Sequence, residues 1–137
     1  MSILLAAALA VAVPTEQQLL FGISAVESSH RIHAPDGDLD RPLCERSRGQ
    51  YQVRPIAVRE LVRVGMLPAM PGFSLTNSAA IRAWLGKPSN NKRAATLYLR
   101  LMLRRHDNDV EAALCAYNGA DKGCRYAGAV LMIAGGE

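Results

Sequence analysis

The chain has 137 residues, half of them hydrophobic and a fifth charged, a balance that fits one ordinary globular domain with a core of its own. Sixteen Lys plus Arg against 12 Asp plus Glu give a net charge of +4. That favours an anionic partner without choosing among nucleic acid, phospholipid headgroups and a bacterial wall. The three histidines (His30, His33, His106) and three cysteines (Cys44, Cys115, Cys124) lack the spacing of a zinc site, so neither a metal nor another cofactor is expected.

Met1 to Pro14 is almost wholly apolar, and Ala10-Val11-Ala12 has the look of a signal-cleavage site. The stretch has no basic leading region and is too short to span a bilayer, so no integral membrane span is expected. Two readings stand: an export signal, or an N-terminal helix packed on the core. Thr15 then suits an N-cap, with Gln18 three residues on completing a capping box, and a helix is expected from Glu16 to Ser29. Leu19, Ile23 and Val26 recur at helical spacing, so Glu27 arrives beside an apolar stripe. A carboxylate there loses hydration, its pKa rises, and it can act as a general acid. The alternative is an ordinary helix-end glutamate facing water.

From His30 to Arg48 the signals are those of a loop, with Pro35-Asp36-Gly37-Asp38 and then Pro42. So long a connection is often functional or hides a short hairpin. Gln50 to Val53 reads as one extended segment, and Pro55 opens a helix from Ile56 to Val64 closed by Gly65. A turn-rich link over Leu67-Pro68-Ala69-Met70-Pro71-Gly72 leads to a short helix, Ser78 to Leu85, ended by Gly86. Asn90 or Asn91 is expected to cap the longest helix, whose apolar face is Ala94, Leu97 and Leu101 with Tyr98 and Met102, while Arg100 and Arg104 point outward. Asp107-Asn108-Asp109 caps a helix from Val110 to Tyr117. Asn118 to Gly123 is a turn, and Tyr126 to Ile133 a final apolar helix. Cys115 and Cys124 flank that turn, near enough to be bridged, which leaves Cys44 over. Trp84 reads as core before ligand platform. The expected architecture over residues 1–137 is one mainly helical domain, with at most a small hairpin between Ile32 and Val53.

Three landmarks carry a family likeness: Ala25-Val26-Glu27-Ser28, Gly49-Gln50-Tyr51-Gln52-Val53 and Ala116-Tyr117-Asn118-Gly119. Between the last two fall Asn91, Ala95, Tyr98 and Leu99, and beyond them Tyr126, Val130 and Leu131. In order and spacing these resemble the soluble lytic transglycosylases, peptidoglycan-cleaving enzymes of the lysozyme-like superfamily, over roughly residues 16 to 133. Ala95 stands where the family has glycine, and Tyr51 where it has methionine. Ser47 to Val53 is also similar to a stretch of invertebrate-type lysozymes, with Gln50 in place of proline.

The resemblance implies a lysozyme-like fold and cleavage of the bond between N-acetylmuramic acid and N-acetylglucosamine. Glu27 would protonate the leaving oxygen, then take a proton from the C6 hydroxyl of muramic acid as it closes a 1,6-anhydro ring. Ser28 would steady the loop or Glu27, Gln52 would hold an acetamido group or position Glu27, and Tyr51, Tyr117 and Asn118 would meet the sugar; Gly49 and Tyr98 would be structural. The residues alone also allow plainer roles: a half-buried core tyrosine at Tyr117, loop bonding at Gln52. A hydrolase would want a second acid, for which Asp38 and Asp40 are the candidates, although Pro-Asp-Gly-Asp is also good turn chemistry. The implied partner is a peptidoglycan glycan strand and the implied state a monomer. The implied location is the periplasm or cell envelope, with a secretion apparatus, a virion or phage lysis as settings. Two non-enzymatic alternatives remain. One is a wall-binding protein of the same fold. The other is a nucleic-acid binder using the helices from Ile56 and Ser78, for which the intervening segment is too long and only Arg82 could reach a base or phosphate.

Overall fold

The computed structural model describes residues 12–68, 77–120 and 123–136. The choice between signal and packed helix for Met1 to Pro14 lies almost entirely outside the described residues, as does most of the link after Pro68. The described residues form six α-helices: α1 Glu16–Ser28, α2 Pro55–Arg63, α3 Ser78–Leu85, α4 Pro88–Arg105, α5 Val110–Tyr117 and α6 Arg125–Gly135. The class is mainly helical. Among these residues no helix is long and apolar enough to cross a membrane.

The helix starts follow local chemistry. Thr15 and Gln18 form the full capping box, with Gln18 N donating to Thr15 Oγ1 at 3.1 Å and Thr15 N to Gln18 Oε1 at 2.8 Å. Asp109 caps α5 by accepting from Ala112 N at 3.1 Å. Pro55 opens α2, where its missing N–H costs nothing. The expected cap of α4 needs correcting. Pro88 starts that helix a residue after Lys87, and Asn90 and Asn91 lie inside its first turns. Asn90 Nδ2 turns back to the Trp84 carbonyl, and Asn91 turns into the core.

Helix α1 lies along α6, and Gly22 sets how closely they approach: a Cβ there would stand 2.7 Å from the Val130 carbonyl oxygen. The buried stripe of α1 is Leu19, Leu20 and Ile23, whereas Val26 is exposed. Leu19, Ile23 and Glu27 are spaced four apart, so Glu27 continues the stripe rather than sitting beside it. Helix α5 is covered almost throughout, with Ala113, Leu114 and Cys115 at 0 % exposure, and packs between α4 and α6. On α4, Ala94, Ala95, Leu99, Leu101 and Met102 are buried, Leu97 and Tyr98 are half-buried, and Arg100 and Arg104 face out. Trp84 packs against the same core. Cys115 and Cys124 form a disulfide, and Cys44 is free and exposed.

The only β-pairing among the described residues is one bridge, Arg48 N to Val53 O at 3.0 Å and Val53 N to Arg48 O at 3.1 Å. The expected extended segment from Gln50 is therefore a tight turn, with Gly49 at φ +81° and Gln52 at +47°. Gly49 is required twice over. Its backbone is left-handed, and a Cβ would meet Asn91 Nδ2 at 2.3 Å.

Candidate active site

Residues 29–47 form the long connection after α1, relieved by one 3-10 turn, Leu43–Glu45. Arginines hold it in place. Arg82 on α3 reaches Asp36 Oδ2 at 2.6 Å and the Arg46 carbonyl at 3.1 Å, while Arg48 Nη1 donates to the Arg82 carbonyl at 2.8 Å. Gly37 N closes onto Ser47 O at 3.2 Å. The loop thereby becomes one wall of a cavity of about 350 Å³.

Glu27 reaches that cavity from the last turn of α1, and the loop contributes Gly37, Asp38 and Arg41. Ser47 and Gln52 come from the tight turn, and Arg54 and Ala57 from the start of α2. Tyr98 of α4 and Tyr117, Asn118 and Gly119 at the end of α5 complete it. Burial pushes the Glu27 carboxyl up to about 7, against a smaller downward pull from the Tyr126 hydroxyl; the charge of Asp38 adds to the rise. At that value Glu27 is half protonated near neutral pH, the condition of an acid that can give a proton and take it back.

Three tyrosines back the acid. The rings of Tyr98 and Tyr117 are 5.6 Å apart, and those of Tyr117 and Tyr126 are 6.5 Å apart and nearly parallel. The Tyr117 hydroxyl donates to the Tyr51 carbonyl at 3.0 Å, so Tyr117 offers the cavity its ring. Burial, reinforced by the charge of Glu27, raises its pKa well above the ordinary value. The Tyr126 hydroxyl is buried without a partner at full hydrogen-bond geometry, yet it favours the Glu27 carboxylate.

The turn behind Glu27 is tied to α1 by a compact network. Ser28 Oγ donates to the Gln50 carbonyl at 2.7 Å, Gln50 Nε2 donates to Ser24 Oγ at 2.9 Å, and His30 Nδ1 meets the same hydroxyl at 2.9 Å. Gln52 lines the cavity, but its amide is engaged: Nε2 donates to Gly49 O and Pro35 O, and Oε1 accepts from Ser47 Oγ at 2.9 Å. Asn91 fixes the far side of the turn, accepting from Tyr51 N at 3.0 Å and donating to Arg48 O and Leu85 O at 2.7 and 3.1 Å.

The structure thus brings Glu27, Asp38, Gln52, Tyr98, Tyr117 and Asn118 to one cavity. Two expected contacts, those of Tyr51 and Asp40, are corrected. Tyr51 is 6 % exposed and joins the core, because the left-handed turn directs its side chain inward. Ser28 is buried beneath that turn with its hydroxyl on the Gln50 carbonyl. Asp40 is exposed and does not line the cavity; the turn closed by Arg41 N on Asp38 O carries it past the rim. Sequence reasoning missed Tyr126, Arg41 and Arg54 as part of the site. Tyr126 had one usable signal, a polar-tipped ring at the start of an apolar helix. Among the described residues no three His, Cys, Asp or Glu side chains are grouped to hold a metal ion.

Comparison with known protein families, with curated proteins and with solved structures finds no match to this chain.

Proposed function

We propose that this protein is a lytic transglycosylase of lysozyme-like fold that cleaves peptidoglycan between N-acetylmuramic acid and N-acetylglucosamine. The observation that carries this reading is the Glu27 carboxyl, held at about 7 by burial on the wall of a sugar-sized cavity. Glu27 protonates the glycosidic oxygen as the bond breaks. The resulting carboxylate then accepts the proton of the muramic acid C6 hydroxyl, which attacks C1 and leaves a 1,6-anhydro end. The substrate's 2-acetamido carbonyl shields the positive charge in between. The Tyr117 ring offers an apolar face to a sugar, Asn118 a polar rim, and Gln52 a fixed wall.

One observation favours hydrolysis as a second reading: Asp38 lines the same cavity and its charge acts on Glu27, as a second carboxylate would. The setting we propose is the cell envelope, or lysis by a phage, and the Cys115–Cys124 disulfide suits an oxidising compartment. A nucleic-acid role is disfavoured because Arg82 is engaged by Asp36 and Arg46.

Digestion of purified peptidoglycan by the wild-type protein and by Glu27→Gln tests the proposal. General acid catalysis contributes about 10²–10⁴, so the variant should lose at least that factor; equal product release from the two proteins ends the assignment. Mass spectra of the products separate the two chemistries, since an anhydro product is one water lighter than a hydrolytic one.

A further inference from the structure

We propose that Arg41 and Arg54 form a subsite for the carboxylate carried at C3 of muramic acid, so that this cavity takes an anionic glycan in preference to a neutral one. The inference rests on the glycan-cleaving reading and adds to it which feature of the strand is recognised.

Both arginines line the cavity that holds Glu27. Among the described residues four guanidinia have a carboxylate of their own: Arg82 has Asp36, Arg100 has Glu16, and Arg63 and Arg105 share Glu60. Arg41 and Arg54 are in no such ion pair among the described residues. Among the described residues Arg54 is anchored at one nitrogen, its Nε donating to the Glu45 carbonyl at 3.2 Å, which leaves its terminal nitrogens to meet a ligand. The Arg41 side chain is exposed at the rim, and its position is fixed through its backbone, whose carbonyl accepts from Arg46 Nε at 2.9 Å. Two positive charges against the one carboxylate of Asp38, with Glu27 protonated, leave this concave site net positive, which concentrates potential there and draws an anion in. Guanidinium forks match a carboxylate better than any neutral sugar group.

Their placement is compatible with the acid. A guanidinium within a few ångströms would depress a carboxyl, whereas Glu27 is shifted upward and neither arginine is among the groups acting on it. Arg54 instead acts on Tyr98, whose pKa burial raises and Arg54 helps to pull back. The two arginines thus share the cavity with Glu27 and leave the upward shift of its carboxyl in place.

On a wall strand this carboxylate has two sources. On strands stripped of peptide it is the lactyl group itself; on intact strands the lactyl carboxyl is an amide and the charge lies in the stem peptide. Binding is measured in a Glu27→Gln background, so that nothing is consumed and the result does not depend on turnover. The probes are soluble strand fragments of three kinds: intact, peptide-stripped, and peptide-stripped with the carboxyls methyl-esterified. Arg41→Ala should weaken binding of a carboxylate-bearing probe about tenfold, and this penalty should shrink markedly on the ester. Loss confined to stripped strands identifies the lactyl group, and loss confined to intact strands the stem; either supports the subsite. Arg54→Lys keeps the charge and should retain more affinity than Arg54→Gln, which guards against a loop effect at Glu45. Equal penalties on charged and esterified probes, or none on either, overturn the proposal. Failure of the wild-type protein to cut any glycan would instead count against the catalytic reading.

Discussion

Arg82 and Asp36, 46 residues apart in sequence, meet at 2.6 Å with the Arg82 side chain only 11 % exposed. Arg82 also donates to the Arg46 carbonyl and accepts at its own carbonyl from Arg48, so α3 and the loop that walls the cavity brace each other. Removing one partner strands the other charge in a poorly hydrated place. Arg82→Ala should therefore cost about 2–3 kcal/mol of stability, less than a fully buried pair would. Asp36→Ala in the Arg82→Ala background should add little, and denaturant titrations of the four proteins measure this as a coupling of about 1–2 kcal/mol. Additive losses would mean that the two side chains do not act as a unit.

Asn91 has no such charge, but it is 1 % exposed and satisfies three backbone groups, on Arg48, Tyr51 and Leu85. Asn91→Leu fills a similar volume and leaves all three unpaired in the interior. The expected cost is about 2–4 kcal/mol, since each buried group left unmade costs about 1–3 and some relaxation follows. Thermal unfolding measures it, and a loss under about 1 kcal/mol would show that the turn can find other partners.

These two residues mark the limit of what the sequence made legible. Thr15, Pro55 and Asp109 announce helix starts because a cap is a local transaction, complete within one turn. Glu27 was findable for a similar reason, as the next step of the Leu19 and Ile23 spacing. Yet Val26, assigned to the same stripe, faces out, since helical spacing leaves one residue of error in which face a neighbour takes. Asn91 was misread as a cap because its local chemistry suits one; only the arrival of the 48–53 turn against α4 turns it inward. Tyr51 was misplaced by the same turn. Nothing short of the packed helices brings Arg41 and Arg54 to the cavity and Tyr126 up behind Glu27.

The Tyr126 hydroxyl is an unusual neighbour for Glu27, buried and without a full hydrogen bond, while favouring the charged carboxylate. Tyr126→Phe removes that influence. The Glu27 pKa should then rise further above about 7. Since the general acid must be protonated to act, activity falls as pH rises through that value. The alkaline limb of kcat/KM against pH should accordingly move upward in the variant, by about half a pH unit. At about pH 4, where Glu27 is largely protonated in both states, stability should hold or improve slightly, because an unsatisfied buried polar group is deleted. A limb that stays in place, or moves to lower pH, would remove Tyr126 from the site.

The same carboxyl makes stability depend on pH in a direction opposite to that of a paired acid. Its ordinary value of 4.5 rises to about 7 in the fold, so the folded protein holds this proton more tightly than the unfolded chain does. Below about pH 4 both states are protonated and Glu27 costs nothing. As pH rises through the window the unfolded chain ionises first, and stability falls until the folded carboxyl also ionises near 7. Above that the full penalty persists, at most about 3 kcal/mol for such a gap. Glu27→Gln has no proton to lose. It should match the wild-type protein at about pH 4 and exceed it by up to about 3 kcal/mol at about pH 8.5. Denaturant unfolding of both proteins across this range measures the difference without any substrate. Parallel stability profiles would mean that Glu27 is as well hydrated as a surface carboxylate, and its standing as a general acid near neutral pH would fall with that result.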